Sequence, residues 1–144
     1  MNSIVKILFS TFLLMTSAVA QAELVVEAGS VRASLPGVSS TAAYMTLRNT
    51  GKTEQVLVAI TSPVAAKVTL HSTMNHNGMM HMMSMETLSI AAGGEVKLES
   101  GGTHMMLEEL NQTLEPANQV ELVLEFENGE KQKITLPVRS VMEQ

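Results

Sequence analysis

Apolar and polar residues alternate in short runs along most of the chain, the period-two signature of strands with one buried and one wetted face. Such runs cover Ala42 to Arg48, Gln55 to Ile60, Lys67 to His71, Glu95 to Glu99, Gln119 to Glu127 and Lys131 to Val138. In Val120-Glu121-Leu122-Val123-Leu124-Glu125-Phe126 the even positions are apolar and the odd ones mostly Glu, so the even side faces a core. Turn signals separate the runs: Leu35-Pro36-Gly37, Asn49-Thr50-Gly51, Ala92-Gly93-Gly94, Ser100-Gly101-Gly102 and Asn128-Gly129, the last opening a hairpin. No long helical pattern competes with them. The expected fold class is all-β, an antiparallel β-sandwich.

The first residues follow a different rule. Lys6 precedes an apolar run from Ile7 to about Met15, and small residues then lead to Ala18-Val19-Ala20-Gln21-Ala22, the three regions of a secretory signal. The run is shorter than the roughly 20 residues of a membrane span. Residues 1–22 therefore read as a signal peptide cleaved after Ala20 or Ala22, residues 23–144 as one β-sandwich domain, and the location as periplasmic without stable membrane insertion.

Composition narrows the class. The 144 residues suit one core, with 45% apolar and 16% charged residues. Every acidic residue is Glu, and loss of Lys6 with the signal takes the formal charge of −5 to −6, which argues against nucleic acid as a partner. No cysteine is present. Disulfides, zinc-thiolate sites and a thiol for lipid attachment at the cleavage site are thereby excluded from the reading.

One segment breaks the pattern. Ten Met lie outside the signal region, and eight of them fall between Met74 and Met106, with all four His in or beside the same window. The stretch from His71 through Met74, His76, Gly78, Met79, Met80, His81, Met82 and Met83 to Met85 sets thioether and imidazole donors around a polar Asn-Gly turn. Thioether sulfur is a soft, uncharged donor suited to Cu(I), and imidazole binds copper in either oxidation state. In an oxidising compartment thioethers outlast thiolates, which are lost to disulfides. If Thr103 to Leu107 is a strand, His104 and Met106 share one face and Met105 the other; likewise Met80 and Met82 share a face opposite Met79, His81 and Met83. Met45 reads as core filler and Met142 as a tail residue. Glu108-Glu109 reads as a solvated face, and Tyr44 as a packed aromatic with its hydroxyl at the surface.

The spacing His71, ten residues, Met82, 21 residues, His104, one residue, Met106 resembles that of the periplasmic PCu(A)C copper chaperones of the DUF461 type. Val31 to Gly37, Ala42 to Gly51 and Ala91 to Gly94 also look like that family's segments, so the likeness covers nearly the whole mature chain. The resemblance implies a cupredoxin-like, immunoglobulin-like sandwich without the blue-copper cysteine. It further implies a Cu(I) site of His71, Met82, His104 and Met106, and delivery of copper to the Cu(A) centre of cytochrome c oxidase, in its subunit II, or to another periplasmic copper chaperone. Two features differ from some members: Ser72 follows His71 where they carry Met, and Gln144 ends the chain without a His- and Met-rich tail. His76 and His81 enrich a loop that is acidic in many relatives, which points to a second, weaker site for Cu(I) or Cu(II); Met74, His76, Met79, Met80 and His81 are auxiliary metal-donor candidates.

Four competing functions stand beside the carrier. Copper storage or tolerance calls for the same donors. A periplasmic hydrolase or oxidase wants carboxylate beside its His, whereas these His keep company with Met; the chain reads as no enzyme. Electron transfer of the blue-copper kind lacks its cysteine. A metal-independent assembly module, gripping apolar partners with its Met-rich surface, needs no copper at all.

Overall fold

The computed structural model describes residues 24–143; the expected signal peptide and its cleavage point lie outside the described residues. Ten strands follow in chain order: β1 (Leu24–Arg32), β2 (Ser40–Asn49), β3 (Gln55–Thr61), β4 (Ala65–His76), β5 (Met79–Met85), β6 (Leu88–Ile90), β7 (Glu95–Leu98), β8 (Thr103–Leu110), β9 (Gln119–Phe126) and β10 (Lys131–Arg139). A short 3-10 turn, Val141–Glu143, comes after them.

Hydrogen bonding runs in the order β5-β4-β8-β2-β1-β10-β9-β3-β6, with β7 pairing the C-terminal half of β2. Every pairing is antiparallel except the short parallel contact of Val31 and Arg32 with Val138 and Arg139, which joins the two layers of the sandwich. The expected all-β sandwich is thus the observed fold.

Alternation places the core. Val120, Leu122, Leu124 and Phe126 are buried while the odd positions of β9 are half-exposed, as the sequence pattern required. They pack with Leu57 and Ile90 of their own layer against Leu47, Leu98, Met105 and Leu107 of the other. Each fully buried Leu or Phe contributes about 1.5–3 kcal/mol. On the wet face of β9 and β10, Lys131 and Lys133 pair with Glu125 and Glu121, exposed contacts of little energetic weight.

β1 is where simple alternation fails. Leu24 and Val26 point inward at even positions, yet Val31 is fully buried at an odd one. The change of phase is a β-bulge between Glu27 and Ser30, with Ala28 at φ 50°. Gly29 passes so close to Leu136 that a Cβ there would clash with its Cδ2. Beyond the bulge β1 still pairs with β2, Ser30 with Tyr44 and Val31 with Ala43, while Val31 and Arg32 also meet Val138 and Arg139 of β10 in the second layer.

At the end of β2, buried Asn49 serves as a polar tie. Its Nδ2 donates to the carbonyls of Thr53 (2.7 Å) and Ile90 (3.0 Å), and its Oδ1 accepts from Gly51 N–H (3.0 Å). Asn49→Ala removes the donor to the Thr53 and Ile90 carbonyls and the acceptor for Gly51 N–H together, and is expected to lower stability by about 2–3 kcal/mol. Urea unfolding of the variant checks this; an unchanged midpoint would show that the tie carries no weight.

Candidate metal centre

β4 and β8 lie side by side with Leu70 opposite Met105 and His71 opposite His104. Leu70 and Met105 are core residues, so the alternating pleat turns His71 and His104 to the other face of that layer. The two imidazoles stack there, with ring centroids 5.9 Å apart and planes inclined by 19°. Met106, two residues beyond His104, shares the face, opposite Thr69 on one side and Ala42 on the other. Met82 of β5 lies opposite Thr73, which is two residues beyond His71. All four residues singled out by their spacing thus occupy one face of three adjacent strands. The expected placement of Met105 on the face opposite His104 and Met106, and of Met80 with Met82 opposite Met79, His81 and Met83, is also what the pairing shows, and Met105 is buried in the core there.

An open cleft of about 540 Å³ covers part of this face. Met82, His104 and Met106 line it with Thr73, and the far wall comes from the segment between β1 and β2, including Ser34, Leu35 and Val38. That wall is fixed by one backbone bond and two side-chain bonds to backbone. Ser34 N–H donates to the Leu114 carbonyl and Leu114 N–H to Ser34 Oγ, while Thr41 Oγ1 donates to the Arg32 carbonyl. Tyr44 also lines the cleft, with the Arg32 guanidinium 5.6 Å from its ring centroid. Exposure is graded across the donors: His104 is 7% exposed and Met82 62%.

Hydrogen bonds select the free nitrogen of each ring. His104 Nδ1 lies 3.0 Å from the Gly102 carbonyl, which only accepts, so Nδ1 carries the proton and Nε2 keeps its lone pair. His71 Nε2 lies 2.8 Å from Thr69 Oγ1, and that hydroxyl donates its single proton to Glu108 Oε2 at 3.0 Å. His71 Nε2 is therefore the donor to Thr69, and its Nδ1 is left with the lone pair. Each histidine thus has one nitrogen tied down and the other available as a ligand.

The sequence reading missed Thr69 and Glu108 as supporting residues. Glu108, read as part of a solvated face, also approaches Lys67 Nζ at 4.0 Å. The signal that could have found the pair was present: Thr69 is two residues before His71, and Glu108 two after Met106, on the same alternating face. Nothing in the sequence alone set the β4–β8 register that brings them together.

The remaining candidates split between the faces. Met80 is on the face of Met82, whereas Met74, His76, Met79 and His81 are on the reverse of the β4–β5 ladder. What was expected to be a loop from Met74 to Met85 is a strand pair closed by a two-residue turn, Asn77 at φ 53° and Gly78 at φ 79°. Positive φ at both central positions is the type I′ geometry that matches strand twist, and Asn-Gly is its preferred sequence. Among the described residues no three His or Glu side chains gather as a metal-holding group. Also among the described residues, no helix is long and apolar enough to cross a membrane.

The fold is a cupredoxin-like β-sandwich with a cleft lined by imidazole and thioether side chains, similar to the PCu(A)C-type copper chaperone domains. The chain belongs to the family described as "Putative lipoprotein LpqE-like", whose pattern matches residues 24–138. It is 33% identical over 104 residues to "Putative lipoprotein Lxx21020" of Leifsonia xyli subsp. xyli (strain CTCB07); the match takes in 72% of this chain and 63% of that protein's length. The solution structure of Cu(I)-DR1885 from Deinococcus radiodurans is similar at 33% identity and TM-score 0.66, covering 85% of this chain and 83% of that one. The copper-bound PCuAC domain from PmoF2 shares the fold at 20% identity and TM-score 0.70, covering 84% and 96% of the two chains.

The assigned proton positions are open to direct measurement. Long-range 1H–15N correlation spectra of the metal-free protein should show His71 as the Nε2–H tautomer and His104 as the Nδ1–H tautomer. Thr69→Val should change the His71 pattern and leave His104 as it was; the opposite tautomer at either ring would refute the assignment.

Proposed function

We propose that this protein is an exported copper carrier that holds one Cu(I) ion with His71, Met82, His104 and Met106 and passes it to a recipient by ligand exchange. The observation that carries the reading is the placement of His71 directly opposite His104, with one free nitrogen on each ring and thioethers on the same face. The donors suit this cargo. All four are neutral, so a monovalent ion keeps its single charge, and two soft sulfurs favour Cu(I) over divalent competitors. The 33% identical DR1885 was solved with Cu(I), which supports the same cargo here.

The exposure gradient supplies a route for transfer. His104, buried and tied to Gly102, is the fixed end of the site; Met82, open to solvent, is the end a partner reaches first. A donor from the recipient replaces the Met82 thioether, and the ion leaves through three-coordinate states without ever being free. The recipient we favour is the Cu(A) centre in subunit II of cytochrome c oxidase. Export through the signal peptide, cleaved after Ala20 or Ala22, belongs to the same reading. The Glu108–Thr69–His71 chain orients His71 from behind, as outer partners of metal-bound histidines commonly do.

Anaerobic Cu(I) titration against a competing chelator, with X-ray absorption on the loaded protein, tests the site. One tightly held ion with mixed sulfur and nitrogen neighbours is the expected result for the wild-type cleft. His104→Gln with Met106→Leu should abolish that tight binding with circular dichroism unchanged. Thr69→Val should weaken it about 10–100-fold. Unaltered affinity in the double variant would refute the ligand assignment, and loaded protein that gives no copper to the oxidase fragment while holding it tightly would favour storage.

A further inference from the structure

The β4–β5 ladder extends beyond the sandwich. Leu70 and Met85 face each other at its base, where Leu70 is buried and Met85 packs on the core. On the same side, the next pairs outward are Ser72 with Met83, Met74 with His81, and His76 with Met79. No core lies beneath these last pairs, and Met74, His76, Met79, His81 and Met83 are all exposed. The side that would be buried further down the strands is therefore a surface of five soft or borderline donors.

Four of them form a square. Met74 and His81 are one rung, His76 and Met79 the next, with the two His on one diagonal and the two Met on the other. Opposed Cβ atoms in such a ladder are about 4.5–5.5 Å apart and diagonal ones about 7–8 Å, within reach of imidazole and of the unbranched Met chain. The turn holds the outer rung: Asn77 and Gly78 close it, and Asn75 Oδ1 accepts from Gly78 N–H at 3.1 Å. Asn75 and Met80 point to the opposite side with Met82, so the backbone ladder separates this square from the cleft. One ion cannot be shared between the two faces.

We propose that Met74, His76, Met79 and His81 form a second site for a soft monovalent ion, Cu(I), on the reverse of the hairpin. It has the two-imidazole, two-thioether composition of the cleft without its walls. Being open on all sides, it binds more weakly and exchanges faster, which suits capture of copper at the tip of the molecule. Met83, one rung inward beside His81, is a replacement thioether for either Met. The site does not depend on the carrier reading of the cleft, and separate variants keep the two apart.

Anaerobic Cu(I) titration of the whole protein against chelators of graded affinity should show two equivalents, one tight and one weaker. Met74→Leu, His76→Gln, Met79→Leu and His81→Gln together should remove the weaker equivalent alone. His104→Gln with Met106→Leu should remove the tight one and leave the weaker in place. As a readout free of copper redox chemistry, Ag(I) added beyond one equivalent should shift the ring signals of His76 and His81 and the methyl signals of Met74 and Met79. A single equivalent in the wild-type protein, a weaker equivalent that survives the four substitutions, or Ag(I) shifts that spare both His rings would each overturn the proposal.

Discussion

The candidate centre depends on the register between β4 and β8. With Leu70 opposite Met105, His71 falls opposite His104 and Thr69 opposite Met106; a slip of one residue in either strand would turn its donors into the core. The register is held by what lies on the other side of the same strands. Leu70, Met105 and Leu107 are buried and Val68 packs against them, so the apolar face that stabilises the sandwich also fixes the polar face. Donor placement and core packing are one constraint read from two sides of a sheet.

That coupling explains how much was legible in advance. The strands whose wet face carries Glu, Lys or Thr against apolar neighbours were readable, and β2, β3, β7, β9 and β10 correspond closely to the runs picked out. β1 was not, because its bulge reverses the alternation midway, and three-residue β6 is too short to show a period. β5 is the instructive case: Met is apolar by any scale, so Met79-Met80-His81-Met82-Met83 shows almost no contrast between faces. Its two-sidedness could be argued only on the condition that it was a strand, and the Asn77-Gly78 turn is what makes it one.

The ligand candidates were legible through the resemblance of their spacing to the PCu(A)C family, but their support was not. Glu108 and Thr69 are 39 residues apart and meet only through the β4–β8 pairing. Without the pairing, Glu108 has no feature to distinguish it from the other Glu on wet faces. Its role is read from hydrogen-bond direction: the carboxylate takes the Thr69 proton, which obliges His71 Nε2 to donate and leaves Nδ1 for a ligand. The same logic at Gly102 fixes His104. Two rings on adjacent strands, stacked at 5.9 Å, therefore keep their lone pairs on different nitrogens, Nδ1 of His71 and Nε2 of His104.

The outer half of the β4–β5 hairpin carries the remaining cost and its compensation. A two-stranded ribbon without a core beneath it is marginal in water. This one is sustained by its type I′ turn and by continuity of β4 with β8 as far as the Ser72–Thr103 pair; beyond that pair it has no third strand. Any ion held by side chains of both strands adds to its stability by linkage, since such an ion binds only the paired form. On the proposed reading, a ribbon with donors on both faces is most ordered with its ion bound, and release of that ion removes the added order.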